Sequence, residues 1–277
     1  MTYKIIVVHQ NAGERAAHRL EIALSLAEAH QALLVGAFAL EDIPLPMAGF
    51  GEGVGQVIQA ELALREKSAA QVRAGFEEAC RRRGVRSAWH AAMSDSLRAM
   101  VLAARHADLS IIGQHNPDGG EGLPGWFPAD FVMRCGRPVL LVPYAGRFEA
   151  VGRRVLVAWD AGREAARAVR DALPLLKRAE HVEVVSFNPD RPGARHGPIP
   201  GADLAAYLAR HDVKVHVSQQ HGDDIEVGEQ ILSRAADLHS DLIVMGAYGH
   251  SRLRELALGG ATRTLLASMT VPVLMSH

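Results

Sequence analysis

The sequence predicts an α/β protein made of two copies of one unit, each a parallel sheet covered by helices on both faces. Three observations predict it. Short apolar runs alternate with helical patterns along all 277 residues. The runs are apolar throughout rather than at every second residue, as strands buried on both faces are. Three of them also recur in order. Lys4-Ile-Ile-Val-Val-His-Gln10 returns as Arg154-Val-Leu-Val-Ala-Trp-Asp160, and Asp108-Leu-Ser-Ile-Ile-Gly113 returns as Asp241-Leu-Ile-Val-Met-Gly246. Arg137-Pro-Val-Leu-Leu-Val142 returns as Val271-Pro-Val-Leu-Met275. A unit of about 140 residues is an ordinary domain size.

In the first half, a strand at 4–9 leads to a helix from about Glu14 to His30. Its Ala16, Leu20, Ala23, Leu24 and Ala27 keep helical spacing. A strand at 32–39 follows. Residues 41–55 carry Pro44, Pro46, Gly49, Gly51, Gly53 and Gly55 and read as a long loop. Next come a long helix at 56–83, a strand at 85–91, a helix at 95–106 and a strand at 108–113. A loop at 114–126, a short helix at 128–134 and a strand at 137–142 close the unit. Residues 144–152 are the linker, with domains at 1–146 and 152–277. The second half repeats the plan: strand 153–159, helix 163–178, strand 182–187, a proline-bearing loop at 188–200 and a short helix at 202–210. Strand 213–218, helix 225–239, strand 241–246, a glycine loop, helix 260–269 and strand 271–275 complete it.

The glycine loop carries the functional signal. Gly246 ends a buried strand, Gly249 follows after two residues, Gly259 after nine more, and Gly260 opens the helix. Strand, glycine loop and helix start aim main-chain amides at an anion. Glycine permits close approach, and a helix start offers unpaired N–H groups and partial positive charge. The bland alternative is a turn and a tight helix–strand contact. The spacing, with the short closing strand behind it, resembles the nucleotide loop of the universal stress protein family. Gly260 departs from that pattern, because ATP-binding members usually carry Ser, Thr or Asn there.

The resemblance covers the chain once per half and implies the rest. It supplies two tandem doubly wound five-stranded parallel sheets, adenine nucleotide alpha hydrolase-like, with first and fourth strands adjacent. Such sheets bind ligands outside the carboxyl ends of strands where the order reverses. The implied ligand is an adenine nucleotide, ATP or AMP, with or without Mg2+, in the second half. Asp160 matches the Asp that lies beside the nucleoside, where it accepts from ribose hydroxyls. Otherwise it is a helix N-terminal partner for the amides from Glu164 onward. Ala158 matches a position that lines the base pocket, and Met245 is a further nucleotide-binding candidate. Phe187 matches a residue whose backbone reads adenine; its ring stacks on the base or belongs to the core. Gly246, Gly249, Gly259 and Gly260 match the phosphate positions, with Ala261 next and Thr262 as a partial substitute for the missing hydroxyl. Losing one charge-assisted hydrogen bond, roughly 1.5–3 kcal/mol, costs about tenfold or more in affinity. His250, Arg252 and Arg254 either neutralise phosphate or form a solvated basic loop.

The first half has lost much of this pattern. Gln10 replaces the Asp, Asn116 replaces the second glycine, and eight residues rather than nine separate it from Gly125. Trp126, Phe127 and Pro128 crowd the helix start, and Pro128 removes a donor. This half is expected not to bind ATP in the family manner.

Bulk properties exclude several classes. The net charge of −1 and pI near 6.9 give no electrostatic case for nucleic acid or an anionic membrane. Cys80 and Cys135 lack metal-type spacing and fit a reducing cytoplasm. The N-terminus enters a strand pattern rather than a signal peptide, and no apolar run is long enough to span a membrane. The 14 histidines are scattered without ligand spacing. There is no Walker A lysine, no Ser-His-Asp ordering and no dinucleotide fingerprint at Gly51–Gly55. A Ser-Gly-Gly type loop, as in pyrophosphatase relatives, follows neither first strand. The expectation is a cytoplasmic stress-response sensor or adaptor, at most a slow ATPase. The alternative is a dimerisation and docking module with a vestigial pocket. The resemblance further implies a homodimer, with the two halves of each chain paired through Val139–Val142 and Val271–Met275.

Overall fold

The structure, a computed structural model, describes residues 2–13, 15–39, 54–92, 96–118, 123–190, 197–222, 224–249 and 259–277. The first half comprises β1 (Ile5–Gln10), α1 (Arg15–His30), β2 (Leu33–Ala39), α2 (Val54–Arg82), β3 (Ser87–Ala92), α3 (Ser96–Arg105), β4 (Leu109–Gly113), α4 (Phe127–Cys135) and β5 (Val139–Val142). The second comprises β6 (Arg154–Ala158), α5 (Arg163–Leu176), β7 (His181–Phe187), α6 (Ala202–Ala209), β8 (Val215–Gln220), α7 (Val227–Asp237), β9 (Leu242–Gly246), α8 (Gly260–Ser268) and β10 (Val273–Ser276). Every predicted element is present, with ends displaced by two residues at most. The glycine- and proline-rich stretch 41–53, and His250, Arg252 and Arg254, lie outside the described residues.

Among the described residues, all ten strands form one sheet in the order β3-β2-β1-β4-β5-β10-β9-β6-β7-β8. Within each half every pairing is parallel, and the first and fourth strands are neighbours. The halves join through β5 and β10, which run antiparallel with Leu140 opposite Leu274. Each closing strand thereby covers the other's open edge. One core layer packs under α1, α2, α5 and α6. The other packs under α3, α4, α7 and α8. The outer strand β8 departs from the expected two-sided burial, since its Val217 is 37% exposed. Among the described residues it is the last strand of the sheet.

The repeat also needs a correction. The sequence match sets Gln10 against Asp160. In the structure, Asp108 N–H donates to Ile5 O, and Asp241 N–H donates to Arg154 O. The carboxylates of Asp108 and Asp241 accept main-chain amides from the same strand starts. Ile5 is therefore the counterpart of Arg154, and Asn11, not Gln10, stands at the place of Asp160. Apolar runs cannot fix a register by themselves, and a one-residue slip exchanges the two faces of a strand. His9 is consequently the counterpart of Ala158.

Candidate functional site

At the carboxyl ends of β6, β7 and β9 lies a cavity of about 420 Å³. That is within the range of small-molecule sites. Ten of the residues singled out in the second half line it, and His250, Arg252 and Arg254 lie outside the described residues. One end is apolar. Ala158 and Met245 are buried there, and Phe187 closes it. β6 pairs with β7 only as far as Ala158 and Val185, so β7 runs two residues past its neighbour. The main chain of Phe187 thus faces the cavity side beyond the end of β6. The sequence reading missed Val227 and Ile231 of α7, which complete the apolar wall, and Trp159 and Glu226 at its rim. Val227 and Ile231 form an i, i+4 pair at a helix start, the one signal that marks them.

The other end is polar and built from main chain. Gly259 is the N-cap of α8 and has no side chain to cap it. The first amides of a helix have no intrahelical partner, and the first bond back into α8 is Arg263 N–H to Gly259 O. Among the described residues nothing accepts from the N–H groups of Gly260, Ala261 and Thr262 at the helix start. A Cβ on Gly260 would meet nothing within 4 Å.

The remaining glycines have different reasons. A Cβ on Gly246 would stand 2.4 Å from Ala165 N and 2.6 Å from Glu164 C. Gly246 is therefore glycine because the first turn of α5 packs on it, the helix–strand alternative for this position. A Cβ on Gly249 would stand 3.3 Å from Asp160 Oδ2 and 3.4 Å from Glu164 Oε2. Two carboxylates thus converge beside Gly249. Burial pushes the Glu164 carboxyl up, but Arg163, its own N–H and the charge of His277 outweigh this and hold it below the ordinary range.

Asp160 lies two residues past the end of β6 rather than at its end. Its Oδ1 accepts from Gly162 N–H at 2.8 Å, and Gly162 is the N-cap of α5. The carboxylate therefore anchors the helix entrance and lines the cavity at once. Thr262 is 3% exposed, and its hydroxyl accepts from Tyr248 N–H at 3.2 Å. That bond holds Tyr248 at φ +64°, a backbone region costly for a non-glycine residue. Thr262 clips the loop to the helix, and this rather than replacement of a missing phosphate ligand is its observed contact. Ala161, at φ +56°, and Asn188, at φ +47°, adjoin Asp160 and Phe187. Three of the six described non-glycine residues with positive φ therefore adjoin the cavity.

The corresponding place in the first half is filled. His9, 2% exposed, stands where Ala158 stands, with its ring 6.4 Å from that of Phe127. Phe127 is itself 1% exposed and stacks on Phe131 at 5.8 Å. From the other side, Arg19 occupies the space under Gly113, where a Cβ would meet its Nη1 at 2.9 Å. Arg19 donates to His9 O at 2.7 Å and Asn11 Oδ1 at 2.9 Å. Burial pushes its guanidinium down to about 10. The sequence named the bulk at Trp126–Pro128 but neither His9 nor Arg19.

Among the described residues, no helix is long and apolar enough to cross a membrane, and no group of three His, Cys, Asp or Glu could hold a metal.

The model of the Universal stress protein family matches residues 152–277. No curated protein matches the chain. A universal stress protein structure from Archaeoglobus fulgidus DSM 4304 superposes with a TM-score of 0.71 at 16% identity, covering 98% of this chain and 97% of that one. A functionally unknown protein from Pseudomonas aeruginosa PAO1 gives 0.59 at 16% identity, covering 99% and 92%. A shorter structure, of a universal stress protein in complex with cAMP, gives 0.38 at 18% identity, covering 52% and 100%. The two long neighbours show the doubled fold over the whole length, and residues 152–277 carry the match to the Universal stress protein family.

Proposed function

We propose that residues 152–277 bind an adenine nucleotide, ATP or AMP, and that residues 1–146 form a degenerate domain that does not. The protein acts as a nucleotide-responsive sensor or adaptor rather than a fast enzyme. The observation that carries this reading is one continuous cavity running from an apolar slot to the α8 amides that no described side chain caps. The slot suits a flat uncharged ring. Asp160 supplies an acceptor for ribose hydroxyls, and the helix amides suit phosphate. The carboxylates of Asp160 and Glu164 beside Gly249 oppose a triphosphate. If Mg2+ accompanies the nucleotide, the carboxylates beside Gly249 would hold it and it would supply charge neutralisation.

Isothermal titration with ATP, ADP and AMP, with and without Mg2+, should give about one site per chain. Gly259→Trp should abolish it. A Cβ there makes only ordinary contacts, 3.8 Å from Tyr248 Cα, so the fold survives while the ring fills the cup. Wild-type affinity no tighter than millimolar ends this reading. A second reading, a docking module without ligand, is favoured by Gly260, which brings no hydroxyl to the helix start. A thermal midpoint unmoved by millimolar ATP would decide for it, since a ligand held by the folded state raises stability.

A further inference from the structure

Gln114 follows Gly113 at the end of β4, on the rim of the filled pocket of the first half. It is 6% exposed and fully engaged. Its Nε2 donates to Leu266 O and Ala267 O, both at 3.0 Å, and its Oε1 accepts from Tyr144 N–H at 3.2 Å. The two carbonyls belong to the last turn of α8, where a helix leaves its C=O groups unpaired. One side chain of the first half therefore caps the helix whose opposite end forms the amide cup of the second. The second half reaches the C-cap of α4 through a different residue, Arg167, which donates to Gly136 O at 2.6 Å. Gln114 N–H donates to Val142 O as Ala247 N–H donates to Ser276 O, so Ala247 is its counterpart and has no group to reach back. Tyr248 also feels the first half: burial, and then the charge of Asp130 in α4, push its phenol up to about 12.

A helix of nine residues is about 13 Å long, short enough to move as one body. Its entrance is fixed by Thr262 and Tyr248, its exit by Gln114. We propose that Gln114 is a positioning residue for the nucleotide site of the other half. The first half, its own pocket occupied by His9 and Phe127, supplies the clamp that sets the phosphate-facing helix. Occupancy of the second half is in turn read at residues 114–118, because coupling between two sites is reciprocal. This rests on the nucleotide reading above.

The test compares wild type, Gln114→Glu and Gln114→Met by ATP titration at pH 8 and pH 5, with thermal unfolding of each ligand-free protein alongside. Glu keeps the acceptor for Tyr144 but sets a carboxylate against two carbonyls; Met keeps the volume without donors. Both should bind ATP about five- to tenfold more weakly than wild type at pH 8. The ratio of Glu variant to wild type should recover at pH 5, where a carboxyl among carbonyls takes up a proton and donates again, while that of the Met variant stays low. Amide exchange at residues 114–118 should slow with ATP in wild type and not in the Met variant. Equal affinities in all three proteins, or equal ratios at both pH values for Glu and Met, overturn the role of Gln114 and leave the nucleotide reading standing. Absence of ATP binding in wild type removes the nucleotide reading itself, and the clamp with it.

Discussion

A methyl group on Gly246 would meet the main chain of α5, whereas one on Gly260 would meet open space. The two residues stand in one motif, yet substitution should separate them. Gly246→Ala pushes a carbon against backbone that cannot yield, so we expect a loss of at least about 2 kcal/mol. The measurement is chemical denaturation without nucleotide; an unchanged midpoint refutes the packing role. Gly260→Ser adds a hydroxyl at an exposed first helical position. It should leave stability within about 0.5 kcal/mol and tighten ATP about tenfold, read by titration. Equal affinity for the Ser variant would mean that phosphate does not sit at this helix start. Spacing in the sequence located both glycines but could not tell these reasons apart. Each depends on what approaches from α5 or fails to approach at α8, and no local pattern encodes that. The same limit misplaced Gln10 for Asn11, because the Asp108 clamp and not the apolar run decides the register.

Among the elements, the strands and helices were legible because each carries its own period or its own punctuation. The contribution of α7 to the cavity was not, since its Val227–Ile231 pair reads as one ordinary apolar face. The join between the halves was legible only through the family resemblance. No short apolar strand states its partner, yet β5 and β10 need one, because a bare buried edge leaves its amides unpaired. Leu274 lies at the centre of that join, opposite Leu140, and both are 0% exposed. Leu274→Asp would bury a carboxylate with no cation opposite it. The expected cost is about 3–5 kcal/mol, with the two halves then unfolding in separate steps. Differential scanning calorimetry would see one transition become two; a single transition at the wild-type midpoint would show that the join does not couple them.

Over the whole molecule, the repeat announced two similar halves, while their physical difference lay in side chains that the repeat aligns wrongly or not at all. His9, His18 and His30 all belong to the first half, and each is harder to protonate than a free histidine. Burial, then the charge of Arg178, lowers His30 to about 4. Burial, then Arg19, lowers His9 well below 6.5. Burial, Arg15 and Arg147 lower His18 against the opposing charge of Glu21. An unfolded chain takes up these protons first, near the ordinary value of 6.5. Between there and about 4 the unfolded state binds more protons than the native one, so stability must fall as pH falls. Above 6.5 both states are neutral and nothing is lost. For His30 the gap between 6.5 and about 4 is worth at most roughly 3 kcal/mol. Asp171 and Asp241 run the other way, because burial raises their carboxyls despite the hydrogen bonds they accept. Their protonation favours the folded state and offsets part of the loss. His30→Phe isolates the histidine contribution, since the ring can keep its edge contact with Tyr3 at 5.0 Å and cannot titrate. Urea midpoints at pH 7.5 and pH 5 should fall steeply for wild type and less for the variant. Parallel falls in the two proteins would show that His30 is not among the groups that set the acid limit of the fold.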